Sequence, residues 1–404
     1  MGVGALATRT LADFGAEVIK IEDRTRIDMP RRLPLYKDEP GRAYGHEDPN
    51  PDPDKGGLFN NYNRNKLGVT INMRTERGQE LAERLISVSS VVTENFAPGV
   101  MERWGFTEER VREIRPDVIY ARMSGYGHSG PHQHYRSYGP IVQAASGLSF
   151  VSGLPGREPS GWGLSYMDNQ AAYYNSAALL MAIFARNTTG LGTDIDVSAV
   201  EAGIELLGPV LLEVGVNGRK TRCDEFPTGN RLEHPQAAPH GVYPCLGDDR
   251  WVAIAVFDDR EWQALVEQMG SPAWATDPMF ATQADRFVHQ DELDGHLSEW
   301  TRSRDRHAVM HQLQAAGVRA GAVQNAQDLT ETDPQIAEHG TFFELDHPVI
   351  GPALFEGMPF RMAGLAPENW RSAPLLGEDN HYVFKEIIGL EDDEIANLAE
   401  KGVI

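Results

Sequence analysis

The sequence predicts an α/β fold: a large domain built on a mostly parallel sheet, joined to a second, smaller α/β domain. Three observations predict it. Strand-like runs alternate with helix-like runs through the first half of the chain. A stretch from Gly215 to Pro239, rich in Gly, Asn, Pro and Thr, then breaks the pattern and reads as a linker or long loop. Beyond it the alternation restarts on a smaller scale. At 404 residues the chain can form two or three domains and bury a substantial core without disulfides or metals.

The elements follow from local pattern. Ala16 to Glu22 (AEVIKIE), Leu67 to Asn72 (LGVTIN), Val91 to Glu94 and Val118 to Met123 (VIYARM) read as strands. Between the second and third, Thr75 to Ser87 sets Leu81, Leu85 and Ile86 on one helical face, with Thr75 as N-cap. Another helix begins at Thr107, where Glu108 and Glu109 suit the positive end of the helix dipole. Strands and helices in this alternation make a parallel sheet wrapped by helices. Asp168 to Arg186 starts polar and becomes apolar nearly all round, so it predicts a helix through a core or a large interface. Asp194 to Val197 reads as a short strand, and Ser198 toward Val214 as a helix. In the second half, Trp251 to Phe257 reads as strand and Asp259 to Met269 as helix. Amphipathic helices follow to about Ala316, then a strand at Arg319 to Gln324 and two short helices between Tyr382 and Ile404.

Composition narrows the function. Hydrophobic residues make up 41% and charged residues 24%, ordinary globular usage. A formal net charge of −22 argues against a nucleic-acid binder and against attraction to anionic membranes. Lysine is scarce, so any anion site is expected to be an arginine site. Cys223 and Cys245 form no C-x-x-C and are expected to be reduced thiols. No apolar run approaches a membrane span, and the N-terminus lacks the order of a signal peptide. The expectation is a soluble, cytoplasmic protein.

Gly125-Tyr126-Gly127-His128-Ser129-Gly130 matches G-x-G-x-x-G after a strand, but Pro131 and a polar run follow where a dinucleotide site needs a helix. No acidic residue stands about 20 positions on to hold a ribose. There is no P-loop and no G-x-S-x-G. His128, His132 and His134 share one loop, without an H-E-x-x-H or acidic partner at metal spacing, and read as a polar surface loop. Asp168 has two readings that pattern alone leaves open: an N-cap, or a carboxylate in a largely buried setting that acts on substrate. Asn95 and Phe96, with Arg103, follow one strand; Arg136 and Tyr138 lie in the loop after the next. Ligands of parallel sheets sit at such strand ends, and two arginine-bearing loops suit a phosphate group.

Taken in order, AEVIKIE, NRNKLGVTINMRTERGQELAERL, VVTENFAPGVMERWGF and RPDVIYARMSGYGHSGP resemble the class III CoA-transferases. That family includes formyl-CoA transferase, the L-carnitine dehydratase/bile-acid-inducible protein F group and α-methylacyl-CoA racemase. The likeness continues through the Asp168 helix, GLGTDIDVSAVEA, APHGVYPCLGDDRWVAIAV, AAGVRAGAV and APLLGEDN. It implies a Rossmann-like large domain at 1–214, a linker at 215–239, a small domain at 240–325 and a return segment at 326–404 that completes the large domain. It further implies an interlocked homodimer. Asp168 is then the nucleophile, and Asn72, Met73, Arg74, Asn95, Phe96, Arg103, Arg136 and Tyr138 contact CoA.

The implied activity is transfer of CoA from an acyl-CoA to a carboxylic acid through an aspartyl-acyl anhydride. It implies no metal and no tightly bound cofactor, since the CoA thioester is a substrate. Three departures from the family bear on this. The family's first strand, ending in A-G-P, is not seen ahead of Gly2-Val3-Gly4. Asp23 stands where formyl-CoA transferase has an arginine, and PTGNRLEHPQAAPHG replaces its glycine-rich loop. Racemase or epimerase activity on the same fold, and a non-catalytic CoA-ester scaffold, are the alternatives. Tyr138 occupies the place of the racemases' histidine, and a phenol with a pKa near 10 is a poor proton acceptor at neutral pH, which favours transfer.

Overall fold

The computed structural model describes residues 2–33, 52–154, 156–218, 227–362 and 370–404. Cys223 lies outside them. The chain divides into two compact units. Residues 1–149, 161–217 and 340–404 make the first; 150–160 and 218–339 make the second.

Five strands of the first unit pair in parallel. They are β1 (Ile19–Glu22), β2 (Leu67–Thr70), β3 (Val91–Glu94), β4 (Ile119–Ser124) and β5 (Thr193–Ser198). β1 pairs with β2, and β3, β4 and β5 lie in that order, with Glu94 opposite Arg122. Alternation along β4 buries both faces, as a covered parallel sheet requires. Val118 and Tyr120 join Ala82 and Ile86 of α3 (Glu76–Val88) and Val111 of α5 (Glu108–Ile114). Ile119 and Ala121 face the other way, against Leu179 and Ala182 of α8 (Tyr166–Thr189) and Leu11 of α1 (Gly2–Asp13). Thr75 caps α3 by accepting from Gly78 N–H, as expected. A third cluster joins Val69, Ile71, Leu81 and Leu85 to Phe384, Leu398 and Ile404 near the C-terminus.

The second unit carries an antiparallel sheet, β6 (His240–Pro244), β7 (Trp251–Ala255) and β8 (Arg319–Ala322). Some expectations need correction. The helix expected from Ser198 to Val214 is broken into Ala199–Ile204, a 3-10 turn and Gly208–Asn217. Gly208-Pro209 accounts for the break, because proline has no N–H for a continuing helix. The hairpin of β9 (Phe342–His347) and β10 (Gly351–Glu356) was not expected, and neither was α1.

α1 is pinned by charge and hydrogen bonds. Arg64 Nη2 meets Asp13 Oδ2 at 2.6 Å with both side chains fully buried, and Asn65 Nδ2 donates to Asp13 Oδ1. Lys66 Nζ donates to Ala5 O, Tyr62 O and Asn63 Oδ1. Burial pushes this ammonium well below the usual lysine range, so the three oxygens hold a cation that the interior disfavours. Ser176 Oγ of α8 donates to Ala7 O. NRNK is thus a clamp on both ends of α1, with Lys66 on the first turn and Arg64 and Asn65 on Asp13 at the last.

Candidate active site

Asp168 lies in the first turn of α8, half-buried, and Ser165 holds the N-cap position. The N-cap reading of Asp168 is therefore corrected: Ser165 holds that position and Asp168 stands inside the first turn. Burial pushes its carboxyl above the usual aspartate range. A carboxylate with little solvent to shed is well suited to attack a carbonyl.

Two glycines of α1 stand against this carboxylate and the end of β3. A Cβ on Gly2 would lie 3.1 Å from the Tyr62 ring and 3.6 Å from Asp168 Oδ2. A Cβ on Gly4 would lie 3.1 Å from the Asn95 Cβ. Gly4 N–H points to Asn95 Oδ1 at 3.4 Å, while Asn95 Nδ2 donates to Met123 O at 2.8 Å. Asn95 thereby ties the first turn of α1 to the carboxyl end of β4. Asp168 and Asn95, 73 positions apart in sequence, meet opposite sides of one helical turn.

The other expected residues sort into three places. Phe96, 45% exposed, is met edge-on by Trp104 at 5.2 Å between ring centroids. Arg103 closes α4 (Val100–Arg103) and folds back over Gly99. Tyr138 and Arg136 are exposed in the loop that enters α6 (Gly139–Ala145), with Tyr138 at its N-cap position. That loop meets the N-cap of α8 through Gly139, where a Cβ would lie 2.7 Å from Ser165 Cβ. Asn72, Met73 and Arg74 follow β2, in the other parallel sheet. Asn72 N–H donates to Val403 O, and its Oδ1 accepts from Arg74 N–H. Met73 is half-buried and packs on the cluster that Trp104 also packs against. Arg74 is exposed. None of Arg74, Arg103 and Arg136 makes an ion pair among the described residues.

The sequence did not point to Tyr62 or Asn169. Tyr62 Oη donates to Asn169 Oδ1 at 2.9 Å, and burial together with the nearby Asp168 charge raises its phenol above the usual tyrosine range. The contact spans 107 positions, so no local pattern announces it. The three loop histidines part company. His132 packs on Tyr135 at 4.5 Å, His134 is exposed, and the His128 side chain is 4% exposed, which corrects the surface reading for that residue. Among the described residues no three His, Cys, Asp or Glu side chains group as the ligands of a cation would. None of the described helices is long and apolar enough to cross a membrane.

Comparison with known proteins decides the family. The model of CoA-transferase family III matches residues 1–380. The chain belongs to CoA-transferase family III. Its relatives include the succinyl-CoA–D-citramalate CoA-transferase of Chloroflexus aurantiacus, 32% identical over 99% of this chain and 94% of that one. The formyl-CoA:oxalate CoA-transferase of Streptomyces coelicolor is 30% identical over 99% of this chain and 95% of its own. Among solved structures, a CAIB/BAIF family protein from Brucella suis superposes with a TM-score of 0.81 at 27% identity, covering 95% of both chains. This family III CoA-transferase is accordingly an enzyme that acts on CoA thioesters and carboxylates.

Proposed function

We propose that this family III enzyme moves CoA between an acyl-CoA and a carboxylic acid with Asp168 as the covalent nucleophile. A carboxylate oxygen of Asp168 attacks the donor thioester carbonyl; the C–S bond breaks, CoA leaves as thiolate and an aspartyl-acyl anhydride remains. The thiolate then attacks the aspartyl carbonyl, which frees the donor acid and leaves CoA on Asp168 as a thioester. The acceptor carboxylate expels the thiolate, and the thiolate opens the second anhydride at the acceptor carbonyl. CoA ends on the acceptor and Asp168 is restored. Each intermediate hydrolyses readily, so the half-buried setting of Asp168 serves the reaction by limiting water.

The observation that carries this reading is the convergence of Asp168 and Asn95 on the first turn of α1, with the loop of Tyr138 meeting the N-cap of the Asp168 helix through Gly139 and Ser165. Phe96, held by Trp104, offers an exposed ring face for the adenine of CoA. Arg103, Arg136 and Arg74 are the cations offered to its phosphates, with Asn72 and Met73 shaping the adjoining segment. The relatives act on succinyl-CoA with D-citramalate and on formyl-CoA with oxalate. Small dicarboxylates are therefore the first acceptors to try. The test is exchange of labelled CoA between succinyl-CoA or formyl-CoA and a panel of acids. Transfer to at least one acid is expected. Rapid α-deuteration of a 2-methylacyl-CoA in heavy water, with no transfer to any acid, would reverse the assignment in favour of racemization.

A further inference from the structure

The G-x-G-x-x-G segment after β4 is tightly built. Ser124 Oγ donates to Gly127 O at 2.8 Å, and His128 N–H donates to both Asp196 carboxylate oxygens at 2.9 Å. Gly127 has φ 80°, a conformation that a side chain disfavours, so glycine closes the turn. The turn drives the His128 ring inward until Nε2 lies 3.4 Å from Glu94 Oε1, with both side chains 4% exposed. The other oxygen of Glu94, Oε2, accepts from Phe96 N–H at 2.6 Å. Glu94 is thus the link between a buried histidine and the backbone of the Asn95–Phe96 turn.

We propose that Glu94, seated against His128, is a positioning residue: ionised, it fixes the Phe96 backbone and so sets how firmly the enzyme holds acyl-CoA. The proposal rests on the reading of Asn95–Phe96 as a CoA-binding turn. A carboxylate holds an N–H about twice as strongly as a neutral oxygen does. Burial raises the Glu94 carboxyl to about 7. The Phe96 N–H and Arg122 oppose that rise, and the charges of Glu102 and Asp196 add to it. Tyr120, whose phenol is pushed up by burial and by Glu94, stays neutral, and burial pushes the His128 imidazolium down. Glu94 is then the group of this cluster that changes charge near neutrality. Protonation weakens the hold on Phe96, so acyl-CoA binding is expected to loosen as pH falls through about 7.

The experiment measures KM for acyl-CoA and kcat from pH 6 to 8 in the wild type, Glu94→Gln and His128→Leu. A 3′-dephospho acyl-CoA is run in parallel to remove the titration of the ligand's own phosphate. The wild type is expected to show KM rising toward low pH with kcat little changed. Glu94→Gln should start about fivefold higher at pH 8 and stay flat, as loss of a charge-assisted bond predicts. His128→Leu should move the inflection to higher pH by replacing a polar ring 3.4 Å from the carboxylate with an apolar side chain. If both variants keep the wild-type inflection, the positioning role is overturned while the CoA reading stands. If Phe96→Ala leaves acyl-CoA affinity unchanged, the CoA reading of the turn falls, and this inference with it.

Discussion

Asp168 was visible in the sequence as a polar opening to an apolar helix, but its place in the first turn was not. N-cap and first-turn positions differ by a few residues, and Gly161 to Tyr166 offers several places for the helix to begin. As the proposed nucleophile it must be ionised, and its raised carboxyl pKa moves the acid limb of activity upward. Turnover is expected to fall with decreasing pH before the usual aspartate value is reached. A pH–rate profile flat down to that value would contradict this. Arg103 and Arg136 follow two adjacent strand ends in a chain of net charge −22. Replacing either by alanine is expected to weaken CoA binding by about 1.5–3 kcal/mol, the worth of a hydrogen bond to a charged group. Calorimetry giving wild-type affinity for both variants would remove them from the site. Tyr62 and Glu94 were illegible for one physical reason: their roles come from contacts across the fold, Tyr62 with Asn169 and Glu94 with His128.

At the scale of elements, β1 to β5 were legible because each is a short run carrying β-branched or aromatic residues between helix-like or turn-like segments. α1 was not: GVGALATRTLAD holds two glycines and three β-branched residues, and its helix is fixed by tertiary clamps that propensity does not report. The β9–β10 hairpin escaped notice because FFELDH and GPALFE carry weak alternation and no two-residue turn signal. The α1 clamp gives two expectations. Asp13→Ala strands the fully buried Arg64 charge and should cost about 3–5 kcal/mol in urea unfolding. Gly4→Ala improves helix propensity by about 0.5–1 kcal/mol, so stability should hold. Its Cβ presses on Asn95, however, so turnover should drop. Unchanged kcat and KM in Gly4→Ala would show that the position of α1 does not matter to the chemistry.

For the whole molecule, the exposed side of α8 bears on assembly. Leu180, Met181 and Phe184 are exposed, Phe184 at 72%, as are Leu212 and Val216 on the helix Gly208–Asn217. Large exposed apolar residues grouped on helices suit an interface. We propose that a second copy of the chain covers them in an interlocked homodimer. Light scattering should give twice the chain mass, with no folded monomer on dilution or in mild salt. A folded monomer would contradict interlocking. Sequence indicated only an apolar run at Ala177 to Ala185; whether it met a core or a partner depended on which side β4 and β5 occupied.

The central claim is that Asp168 carries the acyl group. The most direct test incubates the enzyme with acyl-CoA, quenches with hydroxylamine or borohydride and maps the modified peptide by mass spectrometry. Trapping at Asp168 is expected in the wild type, with neither trapping nor transfer in Asp168→Ala, whose fold and CoA affinity should persist. Appreciable CoA transfer by Asp168→Ala, or wild-type turnover with the label on another residue, would contradict the mechanism.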